Sequence, residues 1–362
     1  MLKKFLNIIV LLTFAFHLPA FADEVANLDE ANIVVESRSS KLRQEALKEA
    51  LASVFLKNSG KPSVVLHPLI KAQIDNPELL LIQYGYTQED ENLILKANFD
   101  HQGVIRTLRQ ADQPVWGVQR PLTLLWLSFV EDNSRVILSD ISDNEIRDNL
   151  TSESSNKGIP ILLPLMDLDD LMAVSPTDVK GMFVSPIKAA SNRYKADYFA
   201  VADIEESLGR ISYKLTLYNN NQTEMNIQPL FMRQGVAADT TAAANIMIAL
   251  LADYYISQYA IESSGNDLTA HVSFTGVTSM AQVVDLEDYL KSLSAVKSVS
   301  VNALNDATIT YKLSLFSSIE DLERLLNLDN RFTQIDAIGS VDMYYAPQGD
   351  QANKLNYQWQ SQ

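Results

Sequence analysis

The sequence predicts a mixed α/β and α+β protein of three small modules: an N-terminal α+β sandwich, a central α/β layered domain and a C-terminal ferredoxin-like βαββαβ domain. Three observations carry this. The chain has 362 residues, long for a single core, which predicts two or three domains. Strand-period and helix-period hydrophobic patterns alternate along most of it. Between the first two patterns lies Gln113–Leu127, with two of the three tryptophans, two prolines and a Trp-Gly turn. That stretch reads as a seam. The predicted modules are residues 23–115, 116–260 and 267–341, with a polar flexible tail at 342–362.

In the first module Ala31–Glu36 reads as a strand with Ile33, Val34 and Val35 at its centre. Ser39 or Ser40 can cap a helix running to about Lys57, whose Leu42, Ala46, Leu47, Ala50, Leu51, Val54 and Phe55 make one buried stripe. Gly60 suits the left-handed position beyond its end. A short helix follows at His67–Ile74, then strands at Leu79–Tyr86 and Asn92–Phe99 and a helix from Gln102 to Ala111 capped by Asp100.

The central module opens on Leu122–Val130, almost wholly apolar, as a strand buried on both faces would be. Arg135–Leu138 reads as its hairpin partner and Asp143–Ser154 as a helix with acids at its start. Ile159–Leu163 reads as a second buried strand, Asp167–Met172 as a helical turn, Val184–Tyr194 as a helix, and Tyr198–Ile204 and Ile211–Tyr218 as strands. Ala237–Tyr259 is a long alanine-rich helix. Its stretch Ala242–Ala260 has one charge, Asp253, and a span length. Asn245, Ser257 and Gln258 interrupt the apolar surface, and Asp253 would be costly in lipid, so it reads as a core helix.

The third module follows the order βαββαβ: Leu268–Thr275, helix Ser279–Leu293, the alternating pair Val296–Leu304 and Ala307–Leu315, helix Ser318–Leu326, and Phe332–Ile335. That is a split βαβ unit. Beyond Met343 the chain is polar and reads as frayed, with Trp359 the one residue placed to dock back or meet a partner.

The first 22 residues stand apart. Lys3 and Lys4 precede an apolar run from Phe5 to Phe16, and Ala20-Phe21-Ala22 supplies small residues where a signal peptidase reads. A cleaved secretory signal is predicted, cut between Ala22 and Asp23. The location it predicts is periplasmic, with secretion or envelope association as alternatives, and no integral membrane span after cleavage. The mature charge is 27 basic against 45 acidic residues, or −18. Such a field disfavours nucleic acid and anionic lipid. The absence of cysteine excludes thiol chemistry, Cys-ligated metal centres and disulfides.

Few groups could carry chemistry. After cleavage only His67, His101 and His271 remain, in no metal-ligand spacing. Asp167, Asp169 and Asp170 form an acidic knot that could hold a divalent cation, or simply open a helix against its dipole. Asp140 is read with them, because Asp140 and Asp167 follow two predicted buried strands. Ser59-Gly60-Lys61 lacks the first glycine of a phosphate loop, and Pro62 stands where Ser or Thr would be needed. Trp116, Gly117, Arg120, Pro121 and Trp126 could anchor a peptide or glycan. They could also form a buried inter-module hinge, with Arg120 paired to an acid across the seam. No catalytic residue, cofactor or metal is assigned.

Several segments together resemble a known family. They are Arg43-x-x-Ala46-Leu47-x-x-Ala50-Leu51, Ser59-Gly60, Gln83-Tyr84-Gly85-Tyr86, Phe99-Asp100, and Pro114-x-Trp116-Gly117-x-x-Arg120-Pro121 leading to Leu124-x-Trp126. Later ones are Gly158-Ile159-Pro160, Pro164-Leu165-x-Asp167-Leu168 and Ala190-Ser191-x-Arg193-Tyr194-x-Ala196-Asp197. The chain resembles the domain of unknown function 2066 family over roughly residues 31–259, and more loosely over the third module. The resemblance implies an exported protein of Gram-negative bacteria with no assigned activity and no catalytic residues to carry over. The expectation is a non-enzymatic envelope adaptor, accessory or assembly factor with an envelope protein partner. The alternative is a small-molecule-binding or hydrolytic site in the central module.

Overall fold

The computed structural model describes residues 27–89, 91–223, 226–265, 268–305, 307–329, 331–335 and 354–360. The predicted signal peptide and its Ala22–Asp23 cleavage site lie outside the described residues. The fold is mixed α/β, with three sheets in three modules.

The first module contains β1 (Glu30–Val35), α1 (Ser40–Ser59), α2 (Pro68–Asp75), β2 (Leu81–Glu89), β3 (Asn92–Phe99) and α3 (His101–Gln110). Its antiparallel sheet has the order β1-β3-β2. The α1 stripe Leu47, Ala50, Leu51, Val54 and Phe55 is fully buried in one cluster with Leu95, Ala97 and Phe99 of β3. The Ser39 side chain accepts from Leu42 N and starts α1. Gly60 ends it at φ 74°, and a Cβ there would lie 2.5 Å from Ile256 of the central module. Glycine is required twice over at this position, for its backbone angle and for the close approach. Asp100 occupies the position before α3 without a side-chain cap bond.

The central module contains β4 (Thr123–Glu131), β5 (Ser134–Ile137), α4 (Glu145–Lys157), β6 (Ile161–Leu162), α5 (Leu168–Ala173), α6 (Pro176–Lys180), α7 (Val184–Ser191), β7 (Tyr198–Ser207), β8 (Arg210–Asn219), β9 (Pro229–Ala237) and α8 (Thr240–Tyr259). The strand order is β5-β4-β7-β8-β9, with β6 pairing the start of β4. β4 runs parallel to β6 and β7, and the other pairings are antiparallel. Layers cover both faces, so β4 is buried from Thr123 to Phe129.

Three features differ from the sequence reading. The strand expected over Ile159–Leu163 shrinks to two residues, because Pro160 and Pro164 bracket it and proline cannot donate to a ladder. Helix α6 was not foreseen, although Ser175 and Asp178 form a reciprocal capping box around Pro176. Strand β9 was also not foreseen. As an edge strand it shows no clean two-residue burial alternation. Helix α8 buries Ala243, Ala244, Met247, Ile248, Leu251, Ala252, Tyr255 and Tyr259 in the core. Among the described residues no helix is long and apolar enough to cross a membrane.

The third module contains β10 (Leu268–Thr275), α9 (Met280–Ser292), β11 (Val296–Asn305), β12 (Thr308–Leu315), α10 (Ile319–Leu326), β13 (Phe332–Gln334) and β14 (Lys354–Trp359). The sheet order is β11-β12-β10-β14-β13. The predicted βαββαβ unit is present, with one addition from the expected flexible tail. Strand β14 enters the sheet between β10 and β13, parallel to β10 and antiparallel to β13. For residues 354–359 the structure therefore corrects the expectation of a frayed tail. Leu355, Tyr357 and Trp359 alternate with Asn356 and Gln358, a two-residue period masked by polar composition. Tyr357 is fully buried 5.9 Å from Phe274, and Trp359 meets Phe332 edge-on at 5.4 Å. The core on the α8 side of the central sheet runs on into the core of the third module as one cluster.

Candidate functional site

Contacts from elements of all three modules converge on the stretch around Trp116 and Arg120. Val115 N and O pair with Ile261 O and N at 2.9 and 2.8 Å, so the two inter-module linkers zip together. The next residue, Trp116, is 1% exposed and donates its backbone N–H to Asn58 O at the end of α1. Arg109 of α3 reaches across to Ile261 O at 3.0 Å and to Ser294 O at 2.5 Å, and lies 4.3 Å over the Phe316 ring. Gln119 donates to Ser292 Oγ at the end of α9. Gly117 packs on Ser294, leaving only 3.1 Å for a Cβ.

Arg120 is the centre of the joint. Its guanidinium stacks 3.8 Å from the Trp116 ring. Nε donates to Gly117 O, Nη1 to Lys157 O and Gly158 O, and Nη2 to Lys57 O and Trp116 O. The expected acid partner is replaced by five carbonyl oxygens. Three of them, Lys57 O, Lys157 O and Gly158 O, belong to the C-terminal ends of α1 and α4, where unpaired carbonyls and the helix dipole both favour a cation. Arg120 thus caps two helices from different modules. Burial lowers its pKa to about 9. Lys57, which donates to Asn27 O and Glu30 O, is lowered to about 8 by burial and then by Arg120. Burial likewise lowers Arg109 to about 10.

Trp126 does not share this joint. It lies in β4 in the separate cluster packed under α7, donates Nε1 to Ser191 Oγ at 2.9 Å and meets Tyr194 edge-on. Pro121 is buried where the chain enters β4. Four of the five residues singled out along the seam therefore fall into two sites, Trp116, Gly117 and Arg120 at the joint and Trp126 on the α7 side of the sheet, with Pro121 buried in the chain between them.

The acidic knot is neutralised from within. Arg193 grips Asp167 with two bonds of 2.7 and 2.6 Å and reaches Asp170 at 3.1 Å. Asp170, fully buried, also accepts from the Tyr194 hydroxyl at 2.5 Å and from Met166 N at 3.0 Å. Asp167 caps α5 by accepting from Asp170 N. The Arg193 hydrogen bonds hold Asp167 down to about 2, and burial with the Asp170 bond pushes Tyr194 up to about 12. Asp169 stays exposed at the outer edge. Asp140 is not drawn in. It is exposed, and its N–H donates to Pro164 O at 3.0 Å. Among the described residues no group of three or more His, Asp or Glu side chains is placed to hold a metal ion.

A concavity of about 550 Å³ does lie at the carboxyl ends of β4 and β7. Glu131, Glu206, Asn144 and Glu145 at the start of α4, and Thr240 at the start of α8, line it. Asp140 and Asp167 do not. The partners that sequence reasoning missed were Arg193 and Tyr194 for the acids, and Lys57, Arg109 and Ile261 at the joint. The first two stood in the quoted Arg-Tyr segment. The others become legible only once the linkers are seen to pair.

The domain of unknown function DUF8605 matches residues 22–117, and DUF2066 matches residues 268–361. No curated protein matches the chain. The DUF2066 resemblance stands, but its place changes. The match covers the third module, whereas the segments quoted for the resemblance lie between Arg43 and Asp197, partly inside the DUF8605 match and partly between the two. The chain therefore carries two domains of unknown function, DUF8605 at its N-terminal end and DUF2066 at its C-terminal end.

Proposed function

We propose that this is an exported, periplasmic, non-enzymatic scaffold that holds an envelope protein partner against its central module. The observation that carries the reading is an exposed apolar patch around α5. Leu168, Leu171 and Met172 are 71, 61 and 79% exposed at helix-face spacing. Leu165 precedes them, and the bond from Asp140 N to Pro164 O brings the 82% exposed Ile141 alongside. Exposed apolar side chains in one place mark an interaction surface more often than scattered ones. The exposed acids Asp140, joined to Pro164 O, and Asp169 on α5 accompany these side chains, which favours a partner with apolar anchors and basic flanks. The joint supports a scaffold role, because Arg120 ties the first module to the central one while Arg109 and Gln119 reach the third.

A photocrosslinking residue at Leu171 in the exported chain tests this. One envelope protein should be captured reproducibly, and Leu168→Ser with Met172→Gln should abolish its capture. Capture that survives the double substitution, or no reproducible adduct, sinks the proposal. The concavity at the ends of β4 and β7 supports a second reading, a small-molecule site of the α/β type. Thermal-shift measurements against divalent metals, peptidoglycan fragments and nucleotides distinguish it. A shift that Glu131→Gln removes would favour this reading.

A further inference from the structure

The chain holds 45 acidic residues against 29 basic ones, yet the five strands of the third module contain no Asp or Glu. Among the described residues the acids of that module are Asp285, Glu287 and Asp288 on α9, Glu320, Asp321 and Glu323 on α10, and Asp329 in the loop after α10. Alternation along the strands sorts the remaining side chains. Ala270, Val272 and Phe274 of β10, Tyr311 and Leu313 of β12, and Leu355 and Tyr357 of β14 are buried on the core side. The residues between them point the other way, where no helix packs among the described residues.

On that open side one cross-strand row reads Ser300, Lys312, His271, Lys354. His271 is directly opposite Lys312 on one neighbouring strand and Lys354 on the other, and Ser300 is opposite Lys312. Adjacent strands are about 4.8 Å apart, so the two lysine backbones stand about 10 Å apart with the histidine between them. No Asp or Glu stands in this row, so the strands place no counter-charge opposite the two lysines. Among the described residues neither Lys312 nor Lys354 has an ion-pair partner, and His271 Nδ1 is shielded without a hydrogen-bond acceptor or donor. The next row is neutral and hydroxyl-rich: Thr310, Ser273 and Asn356, with Ser273 Oγ 2.9 Å from Thr310 Oγ1. Among the described strand residues no aromatic ring points outward, so these strands offer no base-stacking platform for single-stranded nucleic acid.

We propose that this face binds an anionic oligosaccharide. A carboxylate or phosphate lies over Lys312, His271 and Lys354, and the sugar hydroxyls exchange hydrogen bonds with Ser300, Thr310, Ser273 and Asn356. Charge complementarity selects the anion, and the hydroxyl and amide row selects a sugar over an apolar or aromatic ligand. The surface is distinct from the α5 patch and stands independently of the partner proposed there.

Calorimetric titration of the full chain with hexagalacturonate tests the assignment, with maltohexaose, a hexaglutamate peptide, inorganic phosphate and phosphatidylglycerol vesicles as comparisons. Hexagalacturonate should bind, at least about tenfold more tightly than any comparison probe, with affinity falling as salt rises. Lys312→Gln with Lys354→Gln should weaken binding at least about tenfold while the melting temperature holds. Ser273→Ala with Asn356→Ala should weaken the sugar acid without affecting any response to phosphate. The proposal is overturned if hexagalacturonate fails to bind or if the lysine pair proves dispensable. Equal binding of hexaglutamate would reassign the face to an acidic peptide, and preference for the vesicles would reassign it to a lipid headgroup. Either result overturns the saccharide.

Discussion

Arg120 stacks 3.8 Å from the centre of the Trp116 ring while its Nη2 donates to Lys57 O at 2.8 Å. One side chain thus joins the first linker to the last turn of α1, and through Nη1 to the last turn of α4. The planar fork matters here. Five acceptors in three directions suit a guanidinium, and a lysine ammonium offers fewer donors from a single point. Arg120→Lys should therefore cost about 2 kcal/mol or more, and Arg120→Met more again, because buried carbonyls are left without donors. Urea denaturation with limited proteolysis checks this. Both variants should expose the 111–122 and 260–264 linkers to cleavage before the modules unfold. Parent-like melting and proteolysis would remove Arg120 from its structural role.

Gly158 is the tightest point beside that guanidinium. It has φ 66°, and an added Cβ would come within 2.4 Å of Arg120 Nη1 and 3.0 Å of Leu28 and Lys57. Gly158→Ala incurs the left-handed backbone penalty of about 1–2 kcal/mol and also displaces the capping arginine. A total loss of about 2–4 kcal/mol is expected. Gly209, at φ 71° with no atom within 4 Å of its Cβ, is the control. Gly209→Ala should lose only the backbone part. Equal losses at the two sites, measured by chemical denaturation, would show that contact with Arg120 contributes nothing.

The sequence made the elements with strong periodicity legible. The α1 stripe, the buried run of β4 and the alternation of β11 and β12 each follow from side-chain spacing alone. It was less informative where structure depends on residues far apart in the chain. Arg120 could be picked out as a buried cation, but carbonyls at the ends of two distant helices leave no side-chain signature, so an acid partner was expected. The acids at 167–170 looked like a cation site because Arg193, 23 residues beyond Asp170, was not paired with them in advance. The strand β14 was hidden by composition, its three apolar residues diluted among Lys, Asn and Gln.

Asp197 gives the chain a predictable acid response. It accepts from Leu122 N at 2.8 Å, and burial raises its carboxyl from 3.8 to about 6. Between those values the native state binds more protons than the unfolded state, so this group makes stability fall as pH rises through the window. Its effect should be absent below about pH 4 and complete above about pH 6. Asp197→Asn keeps an acceptor for Leu122 and removes the charge. The variant should match the parent at pH 4 and exceed it by about 1–2 kcal/mol at pH 7, discounting for partial exposure. Denaturant midpoints across pH 4–7 decide this. A constant difference, or an advantage confined to acid pH, contradicts the burial argument.

The inserted strand β14 makes the last prediction. Its parallel pairing with β10 and antiparallel pairing with β13 leave β13 joined to the sheet only through β14. Removing residues 354–362 therefore takes away Leu355, the fully buried Tyr357 and the Trp359 contact with Phe332, and it strands β13. Loss of one large buried aromatic alone costs about 3–5 kcal/mol. The truncated third module should lose its cooperative transition and expose apolar surface to a hydrophobic dye. The first module, whose core cluster contains no residue beyond Val115, should still melt as a unit. A peptide of residues 351–362 added in excess should restore the transition by strand addition, since the ladder and the pockets for Leu355 and Tyr357 are shaped by the remaining strands. A Tyr357→Ser peptide should fail. If the truncated chain melted like the full one, β14 would be an ornament on a complete four-stranded sheet. If the peptide restored nothing while the helices of the module persisted, the strand would have to form in cis, from a chain already tethered through β13.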